Sequence, residues 1–273
     1  AQFSVEKPRL KKKQFFKKKQ KFNIFKSQKT VEKENEVFKY NSLFKQFNAL
    51  FVPNTVPEKE IVKAFCKLEN VDQDPFFIVD LGKIVKQYIQ WKTLLPRVVP
   101  FYAVKCNPSE AMLKTLKFCG ACFDCASKQE IETVVKLGVD PKTQIIFANP
   151  CKQLSHIRYA RELGVSMVTV DNEAELYKHK DHWPEVGIVI RIAVDDSKSL
   201  CKFSSKFGAS LDNVPRLIQV AKDLGLNLIG VSFHVGSGCY SAKSYISALK
   251  DAKSVFDLAE KAGYNFTLLD IGG

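Results

Sequence analysis

The chain has 273 residues, 45% of them hydrophobic, enough for one large or two ordinary domains with substantial cores. It has no apolar run near the roughly 18 residues of a membrane span and no apolar segment behind the basic N-terminus, so it reads as soluble and without a secretory signal. Eleven basic residues against Glu6 place +10 of the net charge of +13 within residues 1–30, which leaves the rest only mildly basic and gives no reason to expect a nucleic-acid-binding fold.

Residues 1–34 therefore read as a basic, disordered tail that repels itself. Its "KKKQFFKKKQKF" run is also compatible with a nuclear signal, a polyanion-binding arm or a membrane-surface patch, because Phe15, Phe16 and Phe22 interrupt the lysines. Residues 35–80 form a mixed N-terminal segment without clear periodicity, apart from the short apolar "PFFIVD". From residue 81 the pattern is regular. "LGKIVKQYIQWKTLL" carries apolar residues at helical spacing, "RVVPFYAVKC" is a strand, and "SEAMLKTLKFCG" is a helix stopped by Gly120.

Strand and helix then alternate. "ACFDCA" leads into a helix opened by Ser127 with Glu130 three residues on, a capping box. The strands "TQIIFANP", "SMVTVD", "GIVIRIAV" and "NLIGVSFHVG" follow, each trailed by a helical segment, and "FTLLDIGG" opens a last strand. Short strands that are apolar on both faces and joined by helices predict parallel pairing. About seven such units in succession, with no G-x-G-x-x-G after the first strand, predict a (β/α)8 TIM-type barrel lacking its last unit rather than an open doubly wound sheet.

The eight cysteines do not make a metal site. Cys122 and Cys125 fall three apart on a strand, where side chains point to opposite faces, and no second pair completes a tetrahedral set. They read as reduced, buried, cytosolic residues, and no metal is expected. Polar groups instead collect at the strand ends: Lys105, Asp124, Asn149, Asp171, Arg191, His234 and Asp270. Strand ends meet water in any fold, so spacing alone does not decide between solvation and function. The mixture of one lysine, one histidine, one arginine and several acids, beside glycine turns at "HVGSGC" and "DIGG", suggests a phosphorylated aldehyde held on a lysine, that is, pyridoxal 5'-phosphate.

The motifs "PFYAVKCNP", "FDCAS", "FANPCK", "TVDNEAEL", "RIAVDDSKS", "KFGA", "GVSFHVGSGC" and "LLDIGG" occur in that order from about Pro75 to Gly273. Together they resemble the eukaryotic ornithine decarboxylases, pyridoxal-phosphate enzymes of the alanine-racemase-like barrel fold. The resemblance implies that Lys105 is the Schiff-base lysine and also helps protonate the product, with burial favouring its neutral amine. It implies that His234 stacks on the pyridine ring, Asp124 and Glu130 flank the cofactor, and Arg191 faces its phenolic oxygen. Ser237, Gly272 and Gly273 are implied to bind the phosphate, and Lys206 to contact a second subunit.

The expected activity is decarboxylation of L-ornithine to putrescine, a step of polyamine biosynthesis, by a cytoplasmic homodimer. The competing readings are an arginine or lysine decarboxylase, a small pyridoxal-phosphate carrier, and a non-catalytic homologue that binds the regulatory antizyme. In the family, later segments supply the acid at the pyridine nitrogen, the diamine-binding acid, a Cys-Asp segment that crosses the dimer, and most of a C-terminal β-domain. The sequence is expected to be a fragment whose barrel and β-domain are incomplete.

Overall fold

The computed structural model describes residues 2–6, 49–53, 55–67 and 75–272. The chain forms two compact units, one of Ala1–Val98 with Ser109–Gly120, the other of Val99–Pro108 with Ala121–Gly273.

In the first unit, strands β1 (Gln2–Glu6), β2 (Leu50–Phe51) and β3 (Phe77–Asp80) form an antiparallel sheet in the order β2-β1-β3, with Phe3 opposite Asp80 and Glu6 opposite Phe77. Residues 2–6 are thus a strand where composition predicts tail. "QFSVE" alternates polar and apolar residues, a period-2 signal that the lysines beyond it obscure. The remainder of the expected tail, residues 7–34, lies outside the described residues, as do 35–48 and Gly273. Helices α1 (Glu58–Cys66), α2 (Leu81–Leu94) and α3 (Glu110–Cys119) complete this unit. Asp80 caps α2 by accepting from the Lys83 N–H at 3.0 Å, and Gly120 ends α3 in the left-handed conformation that the sequence calls for. The buried centre is Leu81 and Ala111, packed against Val79, Ile84 and Phe118.

The second unit carries seven parallel strands. They are β4 (Phe101–Ala103), β5 (Cys122–Cys125), β6 (Ile145–Phe147), β7 (Met167–Val170), β8 (Gly187–Arg191), β10 (Asn227–Ser232) and β12 (Leu268–Asp270). Their order across the sheet is their order in the chain, as in a barrel wound one way round and unlike a doubly wound sheet, where the order reverses. The crossovers within this unit include α4 (Lys128–Lys136), α6 (Leu154–Glu162), α7 (Glu173–His182), α8 (Val214–Asp223) and α9 (Ala242–Lys261), with α5 (Pro141–Gln144) a single added turn. That turn takes up the start of "TQIIFANP", because Asp140 caps it and Pro141 opens it. The strands are buried on both faces: Ile145 to Phe147 and Gly187 to Ile190 are all inaccessible. The fold is the incomplete (β/α)8 barrel expected from the alternation, with β4 and β12 at its two edges.

Two local features depart from expectation. The "HVGSGC" stretch is not only a turn: β11 (Ser237–Cys239) pairs antiparallel with β9 (Ser199–Cys201) as a two-stranded ribbon above the sheet. Lys105 lies just past β4, within a one-turn 3-10 helix of Val104–Cys106, rather than in the strand itself.

The tightest inter-strand approach is at Gly230. A methyl group there would fall 2.1 Å from the Leu268 carbonyl oxygen on β12. Gly230→Ala is therefore expected to lower unfolding free energy by about 1–3 kcal/mol or more, read from urea midpoints at unchanged slope.

Candidate active site

The parallel register places chemistry in rows. Asp124 on β5 stands opposite Ala103 on β4, and Arg191, Ser232 and Asp270 form one row across β8, β10 and β12. Beyond those ends lie Lys105 and His234. These groups sense one another. Asp124 feels the charges of Lys105, Asp270, Glu130 and Arg191, and His234 feels those of Arg191, Lys105 and Asp196. Every strand-end ionisable group listed from the sequence thus converges on one rim, with Asp171 acting on Arg191.

Burial sets the state of the acid and the imidazole. It pushes the Asp124 carboxyl up to about 6, with Lys105 opposing and Asp270 and Glu130 assisting. Asp124 Oδ1 is buried without a hydrogen-bond partner. Burial also lowers His234 to about 4, and Arg191 and Lys105 act in the same direction. The ring is neutral at pH 7, and its Nδ1 accepts the Gly236 N–H at 3.0 Å, which leaves the ring proton on Nε2. The Arg191 guanidinium lies over the Phe207 ring at 5.0 Å. Burial lowers its pKa, opposed by Asp171, Asp270 and Asp124.

Glu130 serves two demands. Its Oε2 accepts the Ala126 N–H at 2.7 Å, while Ser127 Oγ accepts the Glu130 N–H at 3.2 Å, so it closes the N-terminus of α4 as its spacing predicts. Its charge still reaches Asp124. Lys105 corrects one expectation: its side chain is exposed at the open rim, so the burial invoked to favour its neutral amine is absent. Ser237 is exposed on the ribbon. Gly272 takes φ +67, and a Cβ there would strike the Phe233 carbonyl oxygen at 2.4 Å. Its N–H donates to Asp270 Oδ1 at 2.9 Å and is not free for an anion. Lys206 is exposed.

Sequence reasoning missed a buried ionic network beside this rim. The Lys152 ammonium is wholly inaccessible, donates to the Thr169 and Asn149 carbonyls at 2.7 and 3.0 Å, and lies 3.1 Å from Glu175 Oε2. Lys178 also donates to Glu175. Burial pulls Lys152 down to about 8 against the pull of Glu175. Asn172-x-x-Glu175 repeats the spacing of Ser127-x-x-Glu130, a signal for the helix start that does not reveal the buried lysine. Buried Asp196 was also missed. Among the described residues, no group of three or more histidine, cysteine or acidic side chains is arranged to hold a metal.

The residues fit a phosphorylated aromatic aldehyde. An exposed amine, a neutral imidazole, a fixed guanidinium and a buried carboxylate oxygen that lacks a partner stand on one rim of a parallel barrel. Fold and site together define a barrel of the class that carries a lysine-bound pyridoxal cofactor.

Comparison with known proteins agrees. Residues 81–273 match the family described as "Pyridoxal-dependent decarboxylase, pyridoxal binding domain", and the chain belongs to that family. An ornithine decarboxylase of Schizosaccharomyces pombe is 49% identical over 220 residues, 81% of this chain and 50% of that protein. Antizyme inhibitor 2 of Xenopus laevis is 52% identical over 215 residues, 79% of this chain and 46% of that protein. The crystal structure of an arginine decarboxylase from Paramecium bursaria Chlorella virus superposes with a TM-score of 0.68 at 42% identity, covering 70% of this chain and 53% of that one. The chain spans about half the length of the curated relatives it matches.

The raised Asp124 carboxyl gives a stability prediction. The folded state holds its proton more tightly than the unfolded state, so this group's contribution falls as pH rises from about 4 to 6 and stays low above that. Asp124→Asn removes the penalty. The variant should be more stable than the parent at pH 7.5, by up to about 3 kcal/mol, with the difference vanishing near pH 4 in thermal melts.

Proposed function

We propose that this chain is the cofactor-binding part of an ornithine decarboxylase, a carboxy-lyase that converts L-ornithine to putrescine and carbon dioxide in polyamine biosynthesis. The observation that carries the proposal is the convergence of Lys105, Asp124, Arg191 and His234 on one rim of the parallel sheet. Its support is the identity of about half to proteins named ornithine decarboxylase.

Pyridoxal phosphate, when bound, supplies an electron sink for the pair left at Cα as the carboxylate departs. Lys105 Nζ is the amine that tethers its aldehyde, and it carries the proton returned to Cα. His234 offers the face of a neutral ring whose tautomer Gly236 fixes. Asp124 places negative charge beside Lys105 near the reacting carbon, and Glu130 acts on Asp124 in turn. Arg191, seated on Phe207, is assigned to the phenolic oxygen. Ser237 and the Gly272–Gly273 turn are assigned to the phosphate. With the Gly272 amide held by Asp270, the Ser237 hydroxyl is the donor we favour.

In the same reading residues 81–273 are the barrel, 35–80 join the second domain of the whole protein together with the strand of residues 2–6, and 7–34 are the basic tail. The whole protein is a cytoplasmic homodimer with Lys206 at the subunit contact and antizyme as a regulatory partner. A second reading, a non-catalytic relative that binds antizyme, is favoured by the 52% identity to antizyme inhibitor 2.

The test is borohydride reduction of the full-length protein with pyridoxal phosphate, followed by peptide mapping and carbon dioxide release assays. The expected results are a pyridoxyl label on Lys105 and turnover of ornithine well above that of arginine or lysine. Lys105→Ala should lose the label and reduce turnover by roughly 10²–10⁴. A label on another lysine would remove Lys105 from its role. Turnover of arginine alone would overturn the ornithine assignment, and neither label nor turnover would leave the antizyme-binding reading.

A further inference from the structure

The segment between β8 and β10 is neither strand end nor free loop, and it touches both the imidazole and the guanidinium of the rim. It is pinned where it returns to the sheet. The Ala209 N–H donates to the Arg191 carbonyl at 2.9 Å, and the Gly208 N–H donates to Asp171 Oδ2 at 2.9 Å. Its middle is gathered by a single carboxylate. Asp196 is 4% exposed and accepts three hydrogen bonds: from the Phe203 N–H at 2.5 Å, the Ser204 N–H at 2.8 Å and the Ser204 hydroxyl at 2.7 Å. Burial alone would raise this carboxyl, but the donors from Ser204 and Phe203 outweigh burial and hold it below the ordinary carboxylate value.

Two aromatic rings leave this segment toward the site. Phe203 stands perpendicular to the His234 ring with centroids 4.9 Å apart, and Phe207 underlies Arg191 at 5.0 Å. Perpendicular aromatic contact fixes a plane as well as a position. Nothing in the assigned chemistry requires Asp196, yet it holds the backbone from which Phe203 projects.

We propose that Asp196 is a positioning residue that seats Phe203 against His234 and so fixes the plane of the imidazole and shields part of it from water. The proposal deepens the functional reading and rests on it, because it gives His234 a fixed plane where a cofactor ring would stack. Removing the carboxylate acts in two opposite ways. Asp196 is the one acid acting on His234, against Arg191 from β8 and Lys105 beyond β4, so loss of its charge alone would lower the imidazole pKa. Release of Phe203 would instead admit water to the ring and raise it.

The test follows the C2 proton of His234 by NMR in the full-length protein from pH 8 to 5.5, with the resonance assigned against His234→Gln. In the parent the resonance should stay fixed over this range. In Phe203→Ala and, less far, in Asp196→Asn, which also loses the charge that raises the ring, the midpoint should move up toward the ordinary imidazole value of about 6.5. The double variant should match Asp196→Asn, because both substitutions release the same ring and only loss of the carboxylate removes the charge. Ser204→Ala, which removes one donor of three and leaves the backbone bonds, should shift the midpoint in the same direction by less. A resonance that stays fixed in Asp196→Asn, or a double variant whose shift is the sum of the two, would overturn the proposal. In parallel, Asp196→Asn should weaken pyridoxal phosphate binding to the full-length protein at least about tenfold by absorbance titration. Failure of the full-length parent to bind pyridoxal phosphate would count against the functional reading alone, since the His234 titration decides the positioning role without cofactor.

Discussion

Parallel pairing governs this molecule, because seven strands that run one way must release their carboxyl ends on one side. A side chain's place on the rim is then set by hydrogen-bond register, and a slip of one residue would turn each of these groups to the opposite face of the sheet. The register of β10 shows the constraint at work. It shifts between Leu228 and Gly230, so Ile229 is an extra residue relative to β8. Beyond that bulge the facing of the strand changes, which brings Ser232 opposite Arg191 and Asp270 and delivers His234 to the mouth. Gly230, without a side chain, lets β12 close on the bulged strand.

Having brought acids and cations together, the fold must keep them there in a setting drier than water. The rim does this with shared charge rather than with isolated pairs: Arg191 answers Asp171, Asp270 and Asp124 at once. Backbone amides serve as well, since Gly272 holds Asp270 and Gly208 holds Asp171. Asp124 keeps one buried oxygen without a hydrogen-bond partner, with Lys105 the leading charge opposing its burial. Local discomfort of this kind is expected where a fold is shaped for a ligand rather than for its own stability.

Much of this was legible in the residues. Alternating 2-fold and 3.6-fold periodicity located the strands and helices of the barrel, Ser127 and Glu130 announced the start of α4, and Gly120 the end of α3. Strand-end polarity picked out the rim before any geometry was known. What the sequence hid has a common cause, namely contacts made far along the chain. Lys152 looks like any lysine after a turn, and only the carbonyl of Thr169 and the carboxylate of Glu175 make it a core residue. "DDSKS" reads as a polar loop, since nothing local shows that Asp196 closes over Phe203 and Ser204. Lys105 erred the other way, because a rim position next to apolar strand residues suggests burial that an open mouth does not provide.

The Lys152–Glu175 pair has a consequence for how this core can change over generations. Loss of Glu175 strands the desolvated Lys152 charge, at about 3–5 kcal/mol, and loss of Lys152 leaves Glu175 with Lys178 alone, whereas exchange of both for apolar residues of similar volume costs far less. Single steps away from the pair therefore descend into a fitness valley, and drift across it requires two coupled substitutions. Descendants that keep this packing are expected to retain both residues or to have replaced both, so that 152 and 175 behave as one inherited character.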